Sequence, residues 1–175
     1  NCKGLTQLVL GRGLEEIDNY AFYKSTGVSN NSNYSIIPDT VKRIGTFAFK
    51  ETDIWNKPNE DGLVYAGNWV VGFNGANPGT VSLKKDTVGI SDYAFYKCST
   101  LQSIAGLSDV EHIGRAAFYE CTSLALASLG RKLEKIEDYT FYKCSSLSNV
   151  TLLGGVKEIG RSAFYQCTWL NSIDL

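Results

Sequence analysis

The amino-acid sequence predicts an α/β repeat solenoid, with residues 1–175 as a single array, one short parallel strand in each coil of about 23 residues, and a β-hairpin inserted in the middle. Three observations carry this. Residues 113–121 read IGRAAFYEC, residues 136–144 read IEDYTFYKC and residues 159–167 read IGRSAFYQC, each copy displaced from the last by 23 positions. The core phenylalanine recurs as Phe22, Phe49, Phe95, Phe118, Phe141 and Phe164, in steps of 27, 46, 23, 23 and 23, and 46 is two periods. Finally, Leu101, Leu124, Leu147 and Leu170 are each followed three positions on by Ile104, Ala127, Val150 and Ile173. A fixed period of this kind marks an array in which each coil buries its apolar residues against the coils on either side.

Taken in order, residues 2–10 carry Cys2, Leu5, Leu8 and Leu10 and match the second half of a unit, as in Cys144, Leu147, Val150 and Leu152. Leu14, Ile17 and Phe22 open the first complete copy. Four extra residues fall within the Gly/Ser/Asn-rich stretch 27–33, which reads as a loop bulging out before the next strand. The pattern resumes at Ile37 and continues through Val41, Ile44 and Phe49. An irregular unit covers about 54–79, where Leu63-Val-Tyr65 and Trp69-Val-Val-Gly-Phe73 are β-prone runs separated by Ala66-Gly67-Asn68, the signal for a hairpin occupying the slot of one coil. Val81 and Leu83 return to phase, and from Ile90 the array is regular.

Within each regular unit the final Ile-x-Leu alternates as a strand with one buried face does, and stacking these strands at about 4.8 Å builds a parallel sheet. Ala127 is small for its column, so its coil is expected to compensate by turning Leu126 inward or by shifting Leu129. The Ala-Phe half of the unit predicts a helical turn or short 3₁₀ segment rather than a second full strand. Gly45, Gly114 and Gly160 follow the repeated Ile, but Asp18, Ser91 and Glu137 replace them elsewhere, so this position does not demand a positive φ.

Composition narrows the classes of function. Apolar residues make up 43% of the chain, which suits an ordered fold, and 17 basic against 18 acidic residues leave a net charge of −1 without long runs of one sign. That balance lacks the signature of nucleic-acid or anionic-membrane binding. No apolar run approaches the roughly 18 residues that direct membrane insertion requires. The sequence opens in mid-unit and contains no Met, as expected of a piece of a longer protein.

Chemistry-bearing constellations are sparse, and no catalytic, metal-binding or cofactor-binding residue is assigned. Cys98, Cys121, Cys144 and Cys167 fall one per coil, a spacing at which adjacent members could come within disulfide reach. Ser25 and Thr52 take the same position, however, which points to a buried site for a small, weakly polar side chain and a ladder of free thiols. His112, the one histidine, has neither a nucleophile nor an orienting carboxylate in a recognisable pattern. Tyr23, Tyr96, Tyr119, Tyr142 and Tyr165 follow the core Phe, and Tyr20, Tyr93 and Tyr139 precede it by two. This stripe reads as a packed ladder closing the core, with recognition of sugars or protein as the less favoured reading.

The outward positions of the strand behave differently, because they vary from coil to coil. They hold Gln7 and Val9, Tyr34 and Ile36, Thr80 and Ser82, Ser103 and Ala105, Leu126 and Ser128, Asn149 and Thr151, and Ser172 and Asp174. Residues repeated in every coil are accounted for by stacking, so the information for choosing a partner resides where coils differ. The candidate ligand-binding face is therefore Tyr34, Ile36, Ser103, Leu126, Ser128, Asn149, Thr151, Ser172 and Asp174. The triplets beginning at Asn30, Asn33 and Asn149 fit the N-glycosylation pattern, relevant in a eukaryotic source.

These residues resemble the BspA-like class of leucine-rich repeats, whose unit has the form I-G-x-x-A-F-x-x-C-x-x-L-x-x-I-x-L. The resemblance covers residues 2–52 and 81–175, and Asp61-Gly-Leu-Val-Tyr65 is similar to the D-G-V-L-Y hairpin insert of that family. Departures are mild: Ser25 and Thr52 stand for Cys, and Thr140 stands for Ala. The resemblance implies a right-handed leucine-rich-repeat superhelix in a cell-surface or secreted protein of a bacterium or protist. It further implies a non-catalytic adhesion module that meets a protein or glycoprotein ligand of a host or neighbouring cell. The alternative is a structural spacer presenting another domain. Uncapped end coils predict end-to-end association of this piece.

Overall fold

A computed structural model describes residues 2–5, 8–29, 37–76 and 79–174. Its strands are β1 (Glu16–Ile17), β2 (Arg43–Ile44), β3 (Leu63–Ala66), β4 (Trp69–Phe73), β5 (Thr80–Ser82), β6 (Gly89–Ile90), β7 (Ser103–Ala105), β8 (His112–Ile113), β9 (Leu126–Leu129), β10 (Lys135–Ile136), β11 (Asn149–Leu152), β12 (Glu158–Ile159) and β13 (Ser172–Asp174). The chain is a β-solenoid with almost no helix. Among the described residues the helical part of the expected α/β class reduces to one 3₁₀ turn, Leu107–Asp109.

Two strand ladders run along the solenoid where one was expected. The longer strands form the foreseen ladder, with β5 on β7 and with β9, β11 and β13 side by side, all parallel and in register. The second ladder is built from two-residue strands that end on the repeated Ile: β1 on β2, β6 on β8 and β10 on β12. Two residues were too short to show an alternating pattern, which is why the sequence did not announce them.

The Ala-Phe half forms hydrogen-bonded turns. In each complete coil the residues two before and two after the core Phe take the left-handed conformation, at φ between 52° and 60°, and none of the twelve is glycine. Such residues cost roughly 1–2 kcal/mol each. The cost is offset between coils: the N–H groups of Tyr93, Phe95 and Lys97 donate to the carbonyls of Arg115, Ala117 and Tyr119 at 3.0, 2.8 and 2.8 Å. Ala116, Phe118 and Glu120 donate in the same way to the coil after that.

Coils alternate in kind. The first type carries Asn19, Asp92 or Asp138, whose side-chain Oδ1 accepts the backbone N–H of Thr46, Arg115 or Arg161 in the coil that follows, at 2.8, 2.9 and 2.7 Å. The following coil supplies Gly45, Gly114 or Gly160, where an added Cβ would collide with the backbone of the acceptor coil.

The Phe column is the spine of the core. Phe22 lies 5.2 Å from Phe49 between ring centroids, and Phe95, Phe118, Phe141 and Phe164 stack at 5.3, 5.2 and 5.5 Å. Where a coil lacks its motif, the antiparallel hairpin β3–β4 takes the place, β4 pairing in parallel with β6. Phe73 then stacks on Phe95 at 6.5 Å, one residue from the position a regular Phe would hold. Both faces of the hairpin are buried. Leu63, Tyr65 and Val70 belong to the core on the C-terminal side, whereas Val64, Ala66, Trp69 and Val71 belong to the core on the N-terminal side. The hairpin is a septum between two apolar cores.

Candidate functional site

Three surfaces are candidates, and the strand face comes first because β9, β11 and β13 hold its columns in register. Leu126, Asn149 and Ser172 are cross-strand partners, as are Ser128, Thr151 and Asp174. Leu126 points outward at 58% exposure while Leu129 is fully buried, so the small Ala127 is not compensated by turning Leu126 inward. Ser128 and Ser172 are exposed, and Ser103, Asn149 and Thr151 are half-buried. Short polar bonds tie the face together: Thr80 to Ser103 at 3.0 Å, Asn149 to Ser172 at 3.3 Å, and Thr151 to Asn149 at 3.1 Å. Tyr34 and Ile36 lie outside the described residues. Sequence reasoning passed over Trp169, which is 69% exposed in the turn before β13, at a position where the three preceding regular coils carry Thr100, Ser123 and Ser146.

The tyrosine stripe is a stack. Tyr96, Tyr119, Tyr142 and Tyr165 follow one another at 5.4, 4.6 and 5.1 Å, and Tyr93 and Tyr139 meet it edge-on. Rings stacked this closely cover each other's faces within the stack, and stacking on a sugar requires an open face; Tyr165, at the end of the stack, is 51% exposed. Lys97 and Lys143 both reach Glu120 beside the stripe, at 3.6 and 3.5 Å.

The cysteine ladder is closed to chemistry. All five thiols are free, and Cys121, Cys144 and Cys167 donate to the carbonyls of Phe95, Phe118 and Phe141 in the preceding coil at 3.1, 3.1 and 3.0 Å. Burial pushes Cys98 and Cys167 up to about 11, and raises Cys121 and Cys144 further. The thiolate, the reactive form, is therefore scarce at neutral pH.

A third surface is a cleft of about 770 Å³ over the second ladder, which sequence reasoning missed. Its midpoint is the buried Trp69 of the hairpin, on which the His112 ring stacks at 5.7 Å and 5°. Burial lowers the pKa of His112, Lys42 lowers it too, and Glu111 opposes. Asp92 is buried in the cleft wall, with one oxygen taking Nε and Nη2 of Arg43 at 3.1 and 2.9 Å and the other taking the Arg115 N–H. Burial is the largest influence on that carboxyl and raises its pKa against the pull of Arg43. This ion pair joins coils on either side of the septum. A pairing across 49 residues carries no local sequence signal.

Comparison with known proteins completes the picture. A family model described as BspA type leucine-rich repeat region matches residues 1–69 and 72–175 in six copies. Among solved structures, a leucine-rich repeat protein of T. pallidum is similar at 37% identity over 55% of this chain and 45% of its own, with a TM-score of 0.53. A Bacteroides ovatus leucine-rich repeat protein matches at 25% identity over 98% of this chain and 49% of its own, at a TM-score of 0.52. The pneumococcal vaccine antigen PcpA shares the fold at 23% identity, 93% and 48% coverage and a TM-score of 0.62. The chain thus spans about half the length of the structures it matches. No match was found among curated proteins.

Proposed function

We propose, because the chain belongs to the BspA-type leucine-rich-repeat family, that it is a non-catalytic recognition module of a cell-surface or secreted protein, binding a protein or glycoprotein ligand on the strand face. The observation that carries this reading is the contrast between the columns inside and outside the coil. Inside, Phe, Leu and Cys repeat because stacking demands it; outside, Leu126, Asn149 and Ser172 share one column and differ in every coil. The outward positions of that face carry no charged side chain from Thr80 to Ser172, the Asp61 carboxylate meeting it at the Ser82 N–H, while the neighbouring ladder is laced with ion pairs such as Lys157–Glu134 and Lys135–Glu158. Such a surface suits a partner met through hydrogen bonds and a few apolar anchors, and hot spots favour large side chains. Among the described residues Val9 and Leu126 are the exposed apolar anchors in the strand columns and Trp169 is one in the turn before β13, with Tyr34 and Ile36 as further candidates by their place in the repeat.

No described helix is long and apolar enough to cross a membrane, so attachment to a cell would depend on something other than a helical span within these residues. The test is to expose the immobilised chain to an array of purified extracellular proteins, native and enzymatically deglycosylated. Saturable binding to a protein in the array, weakened by replacing Leu126, supports recognition. A chain that binds no member of an array of its natural neighbours, yet still sets the distance of the domains it joins, is a spacer.

A further inference from the structure

Neighbouring coils meet along three sides: the strand ladder, the second ladder and the stacked turns. Between the coils of Phe141 and Phe164 all three are closed. There β11 pairs with β13, β10 pairs with β12, and the N–H groups of Tyr139, Phe141 and Lys143 donate to the carbonyls of Arg161, Ala163 and Tyr165 at 2.9, 2.8 and 2.7 Å. The two joints before it differ, and both belong to one coil, residues 111–129. Toward the preceding coil its second ladder and its turns are closed, with the Gly114 N–H on the Ile90 carbonyl at 2.8 Å, but β9 does not pair with β7. Toward the following coil the turns are closed and the strand ladder runs in register from Leu126–Asn149 to Leu129–Leu152, but β8 does not pair with β10. This coil therefore lacks one ladder at each of its joints, and the two gaps lie on different sides.

Each gap has a local cause. In the closed second ladder the residue after the repeated Ile is Gly114 or Gly160, where an added Cβ would collide with the backbone of Asp92 or Asp138. Glu137 holds that position in the coil that follows residues 111–129, and its Cβ keeps the two backbones from approaching so closely. Its N–H makes no bond to Ile113 of the kind that Gly114 makes to Ile90 and Gly160 makes to Ile136, at 2.8 and 2.7 Å. Ser91 also carries a Cβ at this position, but the hairpin precedes its coil and offers the Val70 carbonyl at 2.9 Å. On the strand side the cause is the 3₁₀ turn. Gly106, at φ 85°, leads the chain out of β7 into Leu107–Asp109, and Leu107 is buried in the same core as the small Ala127. Gly130, directly after β9, lies so close to the Ser108 carbonyl that an added Cβ would overlap it. Thus β9 backs onto this turn, and the bond from the Ala125 N–H to the Gln102 carbonyl, at 3.1 Å, ties the two coils just ahead of the gap.

We propose that the coil of residues 111–129 is a pivot, about which the two parts of the solenoid rock with the stacked turns as the axis, widening the strand ladder between β7 and β9 or the second ladder between β8 and β10. A joint that lacks one of its three hydrogen-bonded sides opens at a lower free energy than a joint that has all of them. The closed turns leave a line about which to open. Leu126 and Ser128 ride on the pivot, so rocking changes their distance from Ser103 on the strand face. The pivot follows from backbone pairing and close approach, and does not depend on which face meets a ligand.

The test is amide NMR on the whole chain. The protection factor of the Glu137 amide against hydrogen exchange should be at least about tenfold below those of Gly114 and Gly160, whose bonds must open before they exchange. Residual dipolar couplings should require two alignment tensors with different degrees of order, one for residues 79–105 and one for residues 131–159. Glu137→Gly, which removes the Cβ from the open joint, should raise protection at that position and bring the two tensors closer. Gly11→Ala, far from the pivot, should change neither. The first two measurements need no variant. One tensor that fits both parts of the unmodified chain, a Glu137 amide as protected as that of Gly114, or a folded Glu137→Gly chain with unchanged protection and unchanged tensors would overturn the pivot.

Discussion

Phe141 is fully buried, with Phe118 stacked on one side at 5.2 Å and Phe164 on the other at 5.5 Å. Truncation to Ala leaves a ring-sized hole that neighbours locked in the same column cannot fill, so Phe141→Ala is expected to cost about 3–5 kcal/mol in chemical denaturation. A loss below about 1 kcal/mol would mean that the Phe column is not the core. The cysteines give a second expectation at this scale. Cys121, Cys144 and Cys167 each spend the thiol hydrogen on a carbonyl, and burial holds Cys98 and Cys167 near a pKa of about 11. Alkylation at pH 8 followed by mass spectrometry should therefore label exposed Cys2 quickly and the four repeat cysteines only after unfolding. Rapid native labelling of any of the four repeat cysteines, or a mass two units low per pair, would contradict the ladder of free thiols. The repeated residues were legible because stacking imposes the same side chain on every coil. Trp169 and Asp92 were not, since each matters for a neighbourhood that the period does not describe.

Among elements, the turns and the hairpin separate what sequence could show from what it could not. The hairpin was legible from β-prone runs flanking Gly67, but not its burial on both faces, because alternation inside a septum gives apolar residues at every position. Twelve left-handed residues escaped notice since none is glycine, the usual marker; the bonds between coils hold them there. For Gly45, Gly114 and Gly160 the reading that no positive φ is required agrees with the structure, and their physical reason is space. An ideal Cβ on Gly114 would lie 2.4 Å from the backbone nitrogen of Asp92, an atom that cannot move without breaking the coil. Gly114→Ala is expected to destabilise by about 1–3 kcal/mol, as overpacking does. Gly11→Ala, with nothing within 4 Å, should stay within about 0.5 kcal/mol. Equal melting temperatures for the two variants would refute the close approach of coils.

For the molecule as a whole, the 23-residue period was enough to identify a solenoid, and the register of β9, β11 and β13 follows it residue for residue. The cleft was not legible, because it arises from a coil that is absent and from an ion pair between residues 49 positions apart. The candidate strand face was legible as columns of variable residues, while the polar bonds that order it depend on side-chain placement. Its claim to be the binding face is tested most directly by one binding measurement on paired variants, using the ligand found in the protein array. Leu126→Lys with Asn149→Lys places two charges on an uncharged face, at one exposed and one half-buried position, and should abolish binding while leaving the melting curve almost unchanged. Tyr119→Ala with Tyr142→Ala should bind normally for as long as it remains folded. If the lysine pair binds with intact affinity and the folded tyrosine pair does not bind, recognition lies on the tyrosine stripe and the strand face is not the binding face.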